Sequence, residues 1–131
     1  MNIGIVTFHC SYNFGSALQA WAMQSVIEKL GHNATIVDYR SQNFDAYRLM
    51  RVCRPRTMLR LLRSYGRNKA RKDAFESFWD RHFNLSQTCY TYRDEKELAS
   101  LADCFDCFVC GSDQIWNLDC TQGVVEPFFL S

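Results

Sequence analysis

A short motif near the end of the chain holds the side chains best suited to chemistry. It follows the apolar run 105–110 and reads Gly111-Ser112-Asp113-Gln114-Ile115-Trp116-Asn117. The run predicts a strand that presents the motif at its carboxyl end, where open α/β sheets bind ligands. Asp113 is suited to act as a base toward a hydroxyl, and Trp116 to stack on a sugar. The polar residues expected to bind substrate beside them are Ser112, Gln114 and Asn117. Alternatively, Ser112 and Asp113 form only a turn, with Trp116 packed beneath it.

A second candidate segment is the loop at residues 9–16, which joins the first predicted strand to the first predicted helix. Free N–H groups and the helix dipole make such a loop attractive to anions. With one glycine where three are needed, it is not the dinucleotide fingerprint. We predict that His9 is catalytic together with Asp113, and that Asn13 and Gly15 contact substrate. Alternatively, Asn13 or Ser16 only caps the helix and His9 is a surface residue.

Alternating strand and helix patterns must position these two segments. Apolar runs predict strands at 3–8, 34–39 and 105–110, an extended segment at 85–92, and helices at 16–30, 57–83 and 94–102, the second interrupted near Gly66. In the first helix, Ala22, Met23, Val26, Ile27 and Leu30 form the arc expected to face the sheet. The predicted fold is an α/β domain over residues 1–131, with an open, mainly parallel, Rossmann-like sheet flanked by helices. Because parallel strands end at one edge, the two candidate segments should converge there.

The seven cysteines suggest a metal site only at first sight. Cys104, Cys107 and Cys110 have the spacing of an iron–sulfur motif, but they straddle a predicted strand, which would place Cys107 and Cys110 on opposite faces. We therefore expect small core residues and no metal or cofactor. Cys10 lies in the candidate loop, yet nothing nearby predicts a lowered thiol pKa. An odd cysteine count without a secretory signal indicates reduced thiols in a cytoplasmic protein.

Charge is concentrated in residues 48–72, a basic and largely helical segment with ten Lys or Arg and no acidic residue, although the chain carries a net charge of only +1. A stripe of arginines, the arginine stripe, recurs every three or four residues on one helix face: Arg56, Arg60, Arg63, Arg67 and Arg71. It suits contact with the anionic inner face of a membrane, a patch for an acidic polymer, or a solvated surface. No nucleic-acid motif accompanies it.

Several of these segments together resemble the polysaccharide pyruvyl transferase family. The Gly-Ser-Asp-Gln-x-Trp-Asn string at 111–117 is the most specific of them. The others, in chain order, are Ile3-Gly4-Ile5-Val6-Thr7-Phe8-His9, Asn13-Phe14-Gly15, Ala17-Leu18-Gln19-Ala20, Leu30-Gly31-His32 and Val37-Asp38-Tyr39-Arg40. The resemblance therefore runs through nearly the whole chain.

The resemblance implies the N-terminal half of a two-domain, glycosyltransferase-like enzyme with its site in the cleft. Such enzymes transfer pyruvate from phosphoenolpyruvate to two hydroxyls of a saccharide, forming a ketal during cell-surface polysaccharide synthesis. The C-terminal domain is expected to be missing here, so the chain alone should be inactive. Neither candidate segment contains arginine, so the absent domain should hold most of the donor's anionic groups. The alternatives are a non-catalytic α/β binding module for a phosphorylated metabolite or glycan, and a redox protein using the cysteine triad.

Overall fold

A parallel sheet with helices on both faces makes up the part of the chain that the structure describes. The computed structural model describes residues 1–40, 55–91, 94–111 and 115; within 55–65 and at 95–96 it describes the backbone only. In chain order the elements are β1 (Asn2–Val6), α1 (Phe14–Lys29), β2 (Asn33–Arg40), α2 (Pro55–His82), β3 (Leu85–Thr91), α3 (Glu95–Ala99), a 3-10 helix (Ser100–Asp103) and β4 (Cys107–Cys110). This confirms the predicted α/β class.

The strand order is β3-β2-β1-β4, and every pairing is parallel. β1 lies between β2, its successor in the chain, and β4, which the chain reaches after crossing to the other side. In the β1–β2 register Asn2 faces Asn33, and in the β1–β4 register Ile3 faces Cys107. The order therefore reverses between β1 and β4, which is the switch point where open α/β sheets form a crevice.

Apolar residues on alternate positions of the strands build a core on each face of the sheet. On one face Ile5 and Ile36 pack with Ala20 and Ile27 of α1. On the other face Val37 packs with residues that include Val6, Tyr39, Tyr90, Leu101 and Ile115. α1 thus covers one face, while the 3-10 helix covers the opposite one.

Helix α1 begins and ends with recognisable caps, but the face that it buries only partly matches the predicted one. The Asn13 side chain accepts a hydrogen bond from the Gly15 N–H at 2.8 Å, and Gly31 has φ 86°, the left-handed conformation that glycine adopts most easily after a helix. The predicted arc is confirmed for Ile27 and Met23, which pack against the sheet, but it is wrong for Ala22, Val26 and Leu30, which are exposed, the last two by 55% and 69%. The residues that α1 buries are Ala17, Ala20, Gln24 and Ile27.

Helix α2 is continuous across Gly66, so the predicted interruption there is wrong. Aromatic residues near its carboxyl end form part of the core: Phe75 and Trp79 are buried and pack beside Cys10 and Ala17, with Phe78 and Phe83, the residue after the helix, partly buried against them. Of the arginine stripe, Arg67 and Arg71 are exposed, and the side chains of Arg56, Arg60 and Arg63 lie outside the described residues. In the described ranges, no helix has both the length and the apolar character needed to cross a membrane.

Candidate functional site

The loop after β1 and the segment after β4 start side by side at the carboxyl edge of the sheet. Val6 is paired with Cys110, the last residue of β4. Beyond that pair, the Gly111 N–H donates to the Val6 carbonyl oxygen at 3.1 Å, and the Thr7 hydroxyl donates to the Gly111 carbonyl oxygen at 2.8 Å. These bonds join the two segments at the switch point, as the parallel sheet requires.

The motif at 111–117 is anchored at the two of its positions that the structure describes. Gly111 is buried against α1, where the side chains of Gln19 and Met23 fill the space that a Cβ would need. Ile115 is 1% exposed in the core beneath the sheet. The remaining motif residues lie outside the described part, and their roles stay predictions: Ser112, Asp113, Gln114, Trp116 and Asn117. The anchors show why a glycine and an isoleucine flank three polar residues.

The β1–α1 loop presents exposed backbone at the same edge and is tied to α2. Asn13 and Gly15 are both exposed, so a ligand can reach them, and their predicted substrate contacts stay predictions. The Tyr12 hydroxyl donates to the Glu76 carboxylate at 3.0 Å, and the Arg71 guanidinium donates to the Tyr12 carbonyl oxygen at 2.6 Å. Burial, together with the bond to Glu76, raises the pKa of Tyr12 to about 12. The loop is therefore fixed from the side of α2.

His9 is buried beneath this loop, so the alternative that made it a surface residue is wrong. It is 1% exposed, with Nε2 3.1 Å from Asp38 Oδ1 and Nδ1 3.3 Å from the Thr7 carbonyl oxygen. Both partners are acceptors, and a ring nitrogen that carries a proton can donate to the partner beside it. In this position His9 is suited to act through Asp38, and its predicted catalytic role stays a prediction.

Asp38 joins His9 to an arginine at the end of β2. Arg40 Nε and Nη2 lie 2.9 and 3.0 Å from the two Asp38 carboxylate oxygens, forming a planar two-point contact. Burial alone would raise the pKa of Asp38, but the hydrogen bonds and positive charges of His9 and Arg40 outweigh it and hold that pKa well below its usual range. The bond to Asp38, against the opposing effect of burial, raises the pKa of Arg40. We call His9, Asp38 and Arg40 the rim cluster.

Cys10 follows His9 but is not suited to act as a nucleophile at neutral pH. The residue is 8% exposed, and burial raises the pKa of its thiol to about 12, although the nearby Arg40 charge opposes that rise. A nucleophilic cysteine needs a lowered pKa, which the charge of a nearby cation or a helix amino end can provide. Here desolvation dominates, so the group is a thiol packed into the core between the loop and α2.

The cysteine triad differs from its predicted place in the core. Cys104 and Cys107 are exposed and only Cys110 is half-buried, so the expectation of core packing is wrong for the first two. The predicted placement of Cys107 and Cys110 on opposite faces is confirmed. Val109 is two residues after Cys107 and so shares its face, and it packs on the α1 side of the sheet, whereas Cys110 packs on the opposite side. Over the described ranges, no three His, Cys, Asp or Glu side chains are placed to hold a metal ion.

Sequence reasoning missed three residues that hold this edge together, namely Thr7, Asp38 and Arg40. Thr7 bonds the motif to β1, and the other two form the rim cluster with His9. The sequence did contain a signal for Asp38 and Arg40: they are two residues apart at the end of an apolar strand and so lie on the same face of it. Nothing in the sequence, however, pairs Asp38 with a histidine 29 residues earlier until the strand register is known.

One comparison with known proteins found a match. A family model described as polysaccharide pyruvyl transferase matches residues 13–127, which is most of the chain and includes α1, the end of β2 with Asp38 and Arg40, β4 and the whole 111–117 motif. No curated protein and no solved structure matches the chain. The extent of the family match, together with the parallel α/β fold, shows that this chain belongs to the polysaccharide pyruvyl transferase family.

Proposed function

We propose that this domain is the N-terminal half of an enzyme that transfers pyruvate from phosphoenolpyruvate to two hydroxyls of a saccharide. The observation that carries the proposal is the hydrogen-bonded junction of Thr7 and Gly111 at the switch point. It places the start of the family-matched motif beside the β1–α1 loop, at the position where sheets of this order bind ligands. Family membership supports the proposed reaction class.

The proposed chemistry balances without an additional reactant. A proton adds to the methylene carbon of phosphoenolpyruvate, which leaves an oxocarbenium-like centre at the carbon bearing the phosphate oxygen. One saccharide hydroxyl adds to that carbon and loses its proton to a base, and the carbon–oxygen bond to phosphate breaks. The second hydroxyl then closes the ketal. Of the two hydroxyl protons, one replaces the proton taken up by carbon and the other leaves with inorganic phosphate.

Some residues of this domain are proposed to contact the acceptor, and others to hold those residues in place. Asp113 is the proposed base toward a hydroxyl, since it follows the buried anchor Gly111 by two positions. Trp116 stacks on the sugar ring. The groups that border the acceptor are Asn13, Gly15, Ser112, Gln114 and Asn117. His9 acts indirectly, through Asp38, because its buried ring contacts that carboxylate and does not reach the surface.

The remaining parts of the enzyme are proposed on the same basis. A second α/β domain closes the cleft and supplies the acid that protonates carbon. The enzyme works in the cytoplasm on an acceptor for a cell-surface polysaccharide, and the arginine stripe brings it to the anionic inner face of the membrane. Arg67 is exposed on α2, as such a contact requires.

A phosphate-release assay on the full-length protein tests the proposal. Phosphoenolpyruvate is supplied with a panel of glycans, and the product is examined by NMR for the methyl group of a pyruvate ketal. Acceptor-dependent phosphate release with a matching ketal signal supports the enzyme. Binding of phosphoenolpyruvate or a glycan without phosphate release, across acceptors that span the common hexoses, would instead favour the non-catalytic binding module.

A further inference from the structure

The rim cluster contains an arginine whose orientation is fixed by a buried carboxylate. Asp38 lies within hydrogen-bond distance of His9 Nε2 and accepts hydrogen bonds from Arg40 Nε and Nη2. The Arg40 guanidinium keeps its charge at physiological pH, and in a partly desolvated place its Coulombic attraction to an anion is stronger than in water. The loop residues 9–16 beside it contain no acidic side chain.

Arg40 is the member of the cluster that a ligand can reach. Its side chain is 41% exposed, whereas those of Asp38 and His9 are 9% and 2% exposed. It lies at the end of β2, next to the switch-point strand β1, and its charge acts on both Cys10 and Tyr12 of the β1–α1 loop. The partly exposed Arg40 side chain therefore lies at the edge where the candidate segments meet.

We propose that Arg40, oriented by Asp38, binds an oxyanion of the substrate, and that this oxyanion is the phosphate or carboxylate of the phosphoenolpyruvate donor. A guanidinium offers a planar set of N–H donors that matches both groups. The two-point contact with Asp38 fixes the orientation of the Arg40 guanidinium before the ligand arrives, which lowers the entropy lost on binding. Asp38 is thus a positioning residue, and this domain shares the donor with its partner domain. The assignment to the donor rests on the proposed function.

Binding to the full-length protein tests this proposal without depending on turnover. Affinities for phosphoenolpyruvate, inorganic phosphate and glucose 1-phosphate are measured by calorimetry for the wild type, Arg40→Gln, Asp38→Asn and the double variant. Loss of a charged hydrogen bond predicts that each single variant weakens phosphoenolpyruvate binding at least about tenfold. Arg81→Gln is the matched control, because Arg81 is also an exposed arginine but lies at the far end of α2, bonded to Ser77.

The double variant separates positioning from a merely structural effect of Asp38. If Asp38 acts through Arg40, adding Asp38→Asn to Arg40→Gln causes little further loss of affinity, whereas independent effects multiply. If the two losses of affinity multiply in the double variant, Asp38 does not act by positioning Arg40. If Arg40→Gln binds phosphoenolpyruvate as tightly as the wild type, Arg40 is not an oxyanion site. Weakened binding of glucose 1-phosphate with unchanged binding of phosphoenolpyruvate would overturn the donor as the source and assign the oxyanion to the acceptor.

Arginine-specific labelling of the wild type covers the case in which a variant fails to fold. Phenylglyoxal is applied with and without phosphoenolpyruvate, and the peptides containing Arg40 and Arg81 are quantified by mass spectrometry. Protection of Arg40 alone supports the proposal, and equal labelling with and without ligand refutes it. Protection of Arg40 in a protein that releases no phosphate would refute the proposed reaction while supporting the oxyanion site.

Discussion

Replacing Asp38 with asparagine should destabilise the fold by about 2 to 3 kcal/mol at neutral pH. Removing one partner of a fully buried ion pair costs about 3 to 5 kcal/mol. The contact with Arg40 contributes less than that, since a side chain that is 41% exposed can turn to water, and exposed pairs contribute at most about 1 kcal/mol. The contact with His9 contributes more, since a ring that is 2% exposed loses a charged hydrogen-bond partner worth about 1.5 to 3 kcal/mol.

The destabilisation caused by Asp38→Asn should become smaller as the pH falls. The pKa of Asp38 is lower in the folded protein than the value of about 3.9 expected of an unfolded chain. Between those two values the unfolded state binds more protons, so the stabilisation is complete above about pH 5 and is lost as the pH falls toward the folded pKa. Because asparagine does not titrate, the difference in unfolding free energy between wild type and variant should narrow only on the acid side.

Urea unfolding followed by far-UV circular dichroism, repeated from pH 3 to pH 7, measures this difference. Asp80→Asn is the control, because Asp80 is exposed on α2, and it should change the unfolding free energy by less than about 0.5 kcal/mol. A loss below about 0.5 kcal/mol in Asp38→Asn at pH 7 would refute the buried ion pair. A loss of the expected size that does not change with pH would show that Asp38 is not ionised in the folded protein.

Three further predictions concern the motif and its surroundings. In the full-length enzyme, Asp113→Asn should lower phosphate release at least about 100-fold while leaving the melting temperature unchanged; wild-type turnover would end the assignment of Asp113. Gly111→Ala should lower the free energy of unfolding, measured in urea, by about 1 to 3 kcal/mol, because Gln19 and Met23 must move. Its control, Gly66→Ala, has open space around it in α2 and should raise that free energy by about 0.5 to 1 kcal/mol. Equal effects would contradict the packing at Gly111. At pH 8 iodoacetamide should modify the exposed Cys104 and Cys107 well before Cys10, whose pKa is raised to about 12; modification at equal rates would contradict the burial of Cys10.

The strands and the convergence of their ends could be predicted from sequence, but the buried face of α1 could not. β1, β2 and β4 are short apolar runs, and their parallel order follows from the helices between them. Helix α1 is apolar on most sides, so hydrophobicity could not select its inner face. The decisive contact is polar: the Gln24 amide is buried because it donates to the His82 carbonyl oxygen and accepts from the Asn84 N–H.

The rim cluster shows why the candidate site could be only partly predicted. Sequence pattern placed His9 and the motif at 111–117 near one edge, and the bond between Thr7 and Gly111 joins the segments that contain them. Pattern could not show that His9 turns inward to Asp38, since that contact depends on how β1 and β2 align. Nor could it show Cys107 exposed, which follows from β4 lying at the outer side of the described sheet.

A crystal structure of the full-length protein with phosphoenolpyruvate and a saccharide acceptor bound tests the central claim most directly. We expect the ligands at the carboxyl ends of β1 and β4, bordered by residues 9–15 on one side and 111–117 on the other, with an anionic group of the donor on Arg40. Ligands bound at the amino edge of the sheet, or held without any residue of these two segments, would contradict the account.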